Sequence, residues 1–354
     1  LSLITSFITE VHERVLSEVG LTKEAIPYAP DVLEGEGGQR IYKDQNLLQI
    51  AMPLGGIGAG CICLNGIGGL QDFSIRHRPH RSSMPDREMG QDAAFATLRI
   101  GESNVTKLVE GPMPTEKIYG LGLRSQGYLG GGHEGLPRFR NCSFKGEYPF
   151  GYVSLEDPEI PLDVQITGFS PLIPLDVKNS AIPCAILEYT FENNSKSSIT
   201  YEFTYHLSHL TSGSKDKENN SSRNTSIAGR GIFFHNNEDE SKATFGSACL
   251  VVIGHEPRIK AMWYRGGWFD SISFLWREVS TGTFQTNDGV NPDSQKGRNG
   301  GSILLSGRLE PGTSITYPIL ITWYLPNVYF GIGEILEGED EGSSKAYWEG
   351  RSTS

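Results

Sequence analysis

The chain has 354 residues, 37% of them hydrophobic and 21% charged, with a formal net charge of −11. This length can bury a large core in one to three domains of a water-soluble globular protein. The negative balance argues against a general nucleic-acid binder, whose phosphate contacts need a basic surface, and no apolar run reaches transmembrane-helix length.

The opening stretch "LSLITSFITEVHERVLSEVG" lacks a basic n-region and carries acids early, so residues 1 to about 25 read as an amphipathic helix, not a secretory signal. The chain begins with Leu1 in place of Met, which reads as a fragment or a processed product. A linker with Pro and Gly follows, "AIPYAPDVLEGEGGQR". The expected organisation is a helix and linker over 1–34, a β domain over 35–330, and a linker or tail over 331–354.

From Met52 to Arg81 the chain reads "MPLGGIGAGCICLNGIGGLQDFSIRHRPHR". Gly55, Gly56, Gly58 and Gly60 do not keep the dinucleotide-binding spacing, and no phosphate-loop Lys-Ser/Thr follows. "CICLNGIGGLQDF" alternates around an Asn-Gly pair and predicts strand, tight turn, strand. The glycines then serve positive φ or close backbone approach. After Asp72 comes a basic cluster of Arg76, His77, Arg78, His80 and Arg81. It suits a solvated loop or an edge that meets acids on another domain.

Further strands are expected in "AAFATLRI" (93–100), "FGYVSLED" (150–157), "PCAILEYTFEN" (183–193) and "ITYEFTYHLS" (199–208). The last two are joined by "NSKSS", which reads as a hairpin loop. "GSILLSGRLEPGTSITYPILITWYLP" reads as strand, Pro-Gly turn, strand. "TSGSKDKENNSSRNTS" (211–226) has almost no apolar residues and predicts an exposed loop. Little helix is expected beyond the N-terminal one. Many short strands with turn chemistry between them indicate a large antiparallel β-sandwich.

Chemistry-bearing clusters are sparse. "MWYRGGWFDSISFLWRE" (262–278) is rich in aromatics, most of which suit a core, while Trp268 and Asp270 beside Gly266-Gly267 are the best candidates for an exposed sugar-stacking pair. Glycoside hydrolysis needs two flanking carboxylates, but the acids cluster in solvated runs such as Glu238-Asp239-Glu240. No G-x-S-x-G or H-E-x-x-H occurs, and His206 and His209 do not make a convincing metal site. No catalytic residue, metal or cofactor is assigned. Five cysteines, with no zinc-ribbon spacing, favour free thiols in a reducing compartment; sequons at Asn104, Asn141, Asn193, Asn219, Asn220 and Asn224 counter this weakly.

The glycine run with its basic, Pro-containing sequel resembles the start of the N-terminal domain of the non-lysosomal glucosylceramidase family, also called bile-acid β-glucosidases. "FSPLIPLDVKNSAIPCAILEYTFEN" and "WYLPN" follow in order, so that the resemblance spans roughly residues 35 to 330. It implies an N-terminal β-sandwich packed against a C-terminal (α/α)6 toroid that carries both catalytic carboxylates of a retaining β-glucosidase. That toroid is not expected in this chain, and no catalytic position can be carried over. The implied partners are that catalytic domain, in cis or as a separate chain, and through it a β-glucoside or glucosylceramide-like substrate. Gly55, Gly56, Gly58, Asp72, Arg76, His77 and Arg81 are the candidates for an interdomain or cleft edge. The expected location is cytoplasmic, at the membrane periphery for a full-length protein. A free-standing carbohydrate-binding or scaffold module is the alternative.

Overall fold

A computed structural model describes residues 40–76, 94–114, 133, 135–211, 222–242, 245–264, 271–289 and 299–327. The predicted N-terminal helix and the C-terminal tail lie outside them.

Alternation sets the strands. In Phe150–Asp157, Gly151, Val153, Leu155 and Asp157 turn inward, while Phe150, Ser154 and Glu156 turn out. In Ile160–Phe169, Ile160, Leu162, Val164 and Ile166 are buried between exposed Pro161, Asp163 and Gln165. These strands belong to a nine-stranded antiparallel sheet. Its order is β1 (Ile41–Lys43), β7 (Asn141–Glu147), β8 (Phe150–Asp157), β9 (Ile160–Phe169), β10 (Cys184–Glu192), β17 (Ser314–Tyr324), β14 (Ser247–Val252), β13 (Gly231–Asn236) and β12 (Ser222–Ile227). A five-stranded sheet runs β15 (Arg258–Lys260), β16 (Gly300–Leu309), β11 (Ile199–Ser208), β5 (Ala94–Ile100) and β6 (Thr106–Leu108). A third sheet is the meander β2 (Ala51–Leu54), β3 (Cys61–Asn65) and β4 (Leu70–Ser74). Leu54, Ile62 and Leu64 of this meander join the same core cluster as Val153 and Ile166 of the large sheet.

The β-sandwich expected from the sequence is therefore the observed architecture. Its centre is aromatic: Tyr189 and Phe191 of β10 meet Phe203 of β11 at ring distances of 4.9 and 5.1 Å, and Phe203 stacks on Tyr317 of β17 at 5.7 Å. The Tyr201 and Tyr317 hydroxyls meet at 2.6 Å and satisfy each other.

One connection differs from expectation. β10 and β11 do not form a hairpin, because residues 193–198 carry the chain from the large sheet to the small one. The turn between β16 and β17 makes the reverse crossing. Asn193, fully buried, staples the two arches. Its Nδ2 donates to the Ser197 and Leu309 carbonyls at 2.8 and 2.9 Å, and its Oδ1 accepts from Ser195 N and Oγ at 3.0 and 2.7 Å. Its backbone N–H donates to Thr313 O and its carbonyl accepts from Gly312 N. The predicted loop at 211–226 is also corrected in part. Residues 212–221 are outside the described set, but Ser222–Ile227 is the edge strand β12, paired with β13 and tied inward by buried Asn224.

Besides a 3-10 turn at Asp44–Leu47, two α-helices occur among the described residues: one turn, α1 (Val177–Ser180), and α2 (Ser271–Thr281). In α2, Ile272, Leu275 and Val279 are buried and Trp276 is half-buried, an i, i+3, i+4, i+7 stripe. This stripe covers Phe95 and Leu304 on the outer face of the small sheet, which makes a third layer there. No described helix is long and apolar enough to cross a membrane.

Candidate functional site

The glycine turn joins β2 to β3. Gly55 donates its N–H to Ser170 Oγ at 3.0 Å, and that hydroxyl donates to Pro53 O at 3.1 Å. A Cβ on Gly56 would lie 2.4 Å from the Ala181 carbonyl carbon and 2.4 Å from Ile182 O, so only glycine lets the two backbones pass. Ile57 N donates to Ser180 O at 2.8 Å, and Trp323 Nε1 donates to Ala59 O at 2.8 Å. The crowding at Gly56 is thus with this domain's own loop. Gly58 stands in open space but takes φ +75°, a left-handed conformation suited to glycine.

Asp72 sits in a β-bulge. Cys61 pairs with Ser74 and Cys63 with Gln71, which leaves the extra residue on β4, and Asp72 takes φ +53° there. Its carboxylate accepts from Gln71 Nε2 at 2.9 Å. Arg76 reaches across to the Leu210 carbonyl. His77, Arg78, His80 and Arg81 lie outside the described residues, as do Trp268 and Asp270. The structure brings Gly55, Gly56 and Gly58 together in one turn.

Of the aromatic segment, Trp263 is core, with its Nε1 donating to Ser302 Oγ at 2.7 Å. Tyr264 and Phe274 are exposed and stack at 5.3 Å with 20° between their planes. That stack was not singled out from the sequence, because the helix that brings Phe274 to Tyr264 was not foreseen. Beneath α2, the Thr97 and Thr204 hydroxyls, His206 and Ser302 form a buried polar chain. His206 Nε2 lies 2.8 Å from Thr204 Oγ1, and its Nδ1 lies 2.7 Å from Ser302 Oγ. Burial, with the charges of His133 and Lys260 behind it, pushes the His206 pKa down to about 3. The ring is therefore a neutral hydrogen-bonding link.

The best-buried acids are neutralised within the domain. Glu110 is paired with Arg138 at 3.1 Å, both nearly inaccessible. Burial works against the charge on Asp157, but Lys107 Nζ at 2.6 Å and the backbone N–H groups of Glu159 and Arg140 hold its carboxyl below the usual range. Glu278 takes Lys260 at 2.9 Å. Among the described residues no group of three or more His, Cys, Asp or Glu side chains converges to hold a metal. All five cysteines are free thiols. The Cys63 thiol donates a hydrogen bond to the Cys61 sulfur, which lowers the Cys61 pKa to about 7, against the opposing effects of burial and of Asp72. The same bond, with burial, pushes Cys63 up.

By class the chain is a large antiparallel β-sandwich domain. The family model described as "beta-glucosidase 2, glycosyl-hydrolase family 116 N-term" matches residues 51–348, and the chain belongs to that family. No curated protein matches the chain. Solved structures similar to it include the polysaccharide lyase BACCELL_00875, at 11% identity, 83% of this chain, 33% of that chain and a TM-score of 0.31. A human-microbiome protein provisionally assigned as a kojibiose phosphorylase matches at 9% identity, 81% and 32% coverage and a TM-score of 0.36. An Escherichia coli K12 protein provisionally assigned as an aldose 1-epimerase matches at 8%, 81% and 100%, with a TM-score of 0.37. The chain spans about a third of the length of the first two. All three TM-scores lie below 0.5, and the fold assignment stands on the strand pairing itself.

Proposed function

We propose that this chain is the N-terminal β-sandwich of a retaining β-glucosidase of the glucosylceramidase type, and that it supports and shapes the cleft of a catalytic domain C-terminal to it. The observation that carries the reading is the family match across residues 51–348. The internal pairing of Glu110, Asp157 and Glu278 supports a role without catalytic carboxylates here. The interdomain edge is proposed at the glycine turn and at Arg76, His77 and Arg81. The five free thiols support a cytoplasmic location. The test is to sequence the gene past Ser354 and express the whole product. Several hundred further residues and turnover of a chromogenic β-glucoside are expected. A stop codon close behind Ser354 in a stable, inactive protein would sink the reading.

One observation favours the alternative of a carbohydrate-binding module: Tyr264 and Phe274, both exposed, form an aromatic stack of the kind that packs on sugar rings. Glucoside or glucan titration monitored by tyrosine fluorescence separates the two, because binding lost in Tyr264→Ala belongs to the module reading.

A further inference from the structure

Thirteen large hydrophobic side chains stand exposed among the described residues, and nine of them gather at one end of the sandwich. Ile57, Leu172, Ile173, Leu175, Val177 and Ile182 lie on the loop from Ser170 to Pro183 and on the glycine turn that faces it. Tyr148, Phe150 and Tyr324 stand at the same strand ends, where β8 begins and β17 finishes. Leu175 is fully exposed and takes φ +70°, a conformation that costs a leucine backbone energy.

The loop is built to hold that leucine in place. Ser180 is buried and joins both backbone groups of Ile173, accepting from its N–H at 2.8 Å and donating to its carbonyl at 3.0 Å. Asp176 N donates to Ile173 O, and its carboxylate caps α1 at Asn179 N, 3.0 Å. Ser180 O then accepts from Ile57, which locks the loop to the glycine turn. A rigid, strained, apolar crest serves nothing in the core beneath it.

We infer that this end is the seat of the domain that follows in the same polypeptide, with Leu175 as its anchor; the inference rests on the reading of the chain as an N-terminal glycosidase domain. Three observations name the occupant. The matched family is by its description an N-terminal part. β17 ends at this crest, with Trp323 bonded to the glycine turn, and the outgoing chain is pinned by Asn327 Nδ2 to Lys242 O at 2.8 Å. A domain tethered there meets the crest at high effective concentration. Between Ser170 and Pro183 the only ionisable side chains are Asp176 and Lys178, a neutral pair that suits the dry centre of a protein interface better than a basic lipid-binding surface.

The test uses the full-length protein with Leu175→Asn, since asparagine tolerates positive φ and relieves the strain, and with Val177→Asn as a second variant. Ile253→Asn, exposed and far from the crest along β14, is the control. Limited proteolysis after Asn327 is expected to run at least about fivefold faster in both crest variants than in wild type and control, with the calorimetric unfolding of the two domains uncoupled. Cleavage and coupling unchanged in an active protein would overturn the docking site alone. Wild-type protein without β-glucosidase turnover would count against the glycosidase reading instead. Sedimentation with phosphatidylcholine vesicles, or concentration-dependent dimers, abolished by Leu175→Asn with cleavage unchanged would give the crest to a lipid surface or a second copy, and the inference would fall.

Discussion

Gly56 and Gly58 are neighbours in one turn, yet each must be glycine for a different reason. At Gly56 the reason is space, and Gly56→Ala drives a methyl into the Ala181–Ile182 backbone. The expected loss is about 1–3 kcal/mol in urea unfolding. At Gly58 there is space and the reason is φ, so Gly58→Ala costs about 1 kcal/mol without any clash. A loss at Gly58 well above that at Gly56 would contradict this division. His206 gives the residue scale a pH signature. Its pKa falls from 6.5 to about 3 on folding, so the ring is neutral in the fold while the unfolded chain takes up a proton below pH 6.5. Its contribution to stability is whole above pH 6.5 and is lost as pH falls toward 3. In His206→Gln, stability plotted against pH should be flatter across that window than in wild type.

At the scale of elements, the arches show how far the sequence could be read. Phe150–Asp157 and Ile199–Ser208 were legible to the residue, because β-branched and aromatic alternation marks a strand whichever sheet it joins. Sheet membership was not legible: "NSKSS" has the length and polarity of a hairpin loop, and only the Asn193 staple reveals an arch. Asn193→Ala should cost at least about 2 kcal/mol, since buried carbonyls lose their donor, and should act on both arches together. β12 was missed because its key inward position is Asn224, an amide where an apolar residue would have signalled a strand. α2 was missed because its stripe is short and crowded by aromatics. Leu275→Ala there should cost about 2–5 kcal/mol, checked by thermal unfolding, if α2 is a full layer of the fold. The apolar crest was legible only as "FSPLIPLDVKNSAIP", since a sequence does not record which of its leucines stay outside.

For the whole molecule, the chain by itself is expected to leave a chromogenic β-glucoside uncleaved, because retaining hydrolysis needs two free carboxylates about 5–5.5 Å apart. Measured turnover abolished by a single Asp or Glu substitution in this chain would contradict that. Removal of Lys107 should weaken the fold, since it strands Asp157 inside; a loss of about 3–5 kcal/mol is expected for Lys107→Met. The Asn193 staple also bears on where such a chain can mature. Asn193 and Asn224 each head an N-x-S/T acceptor site, and both amide nitrogens are consumed by buried carbonyls. An oligosaccharide attached to either one on the nascent chain would occupy the space the fold closes over. In a glycosylating compartment, folding and sugar transfer would compete for the same two nitrogens, and native molecules would be those in which folding won.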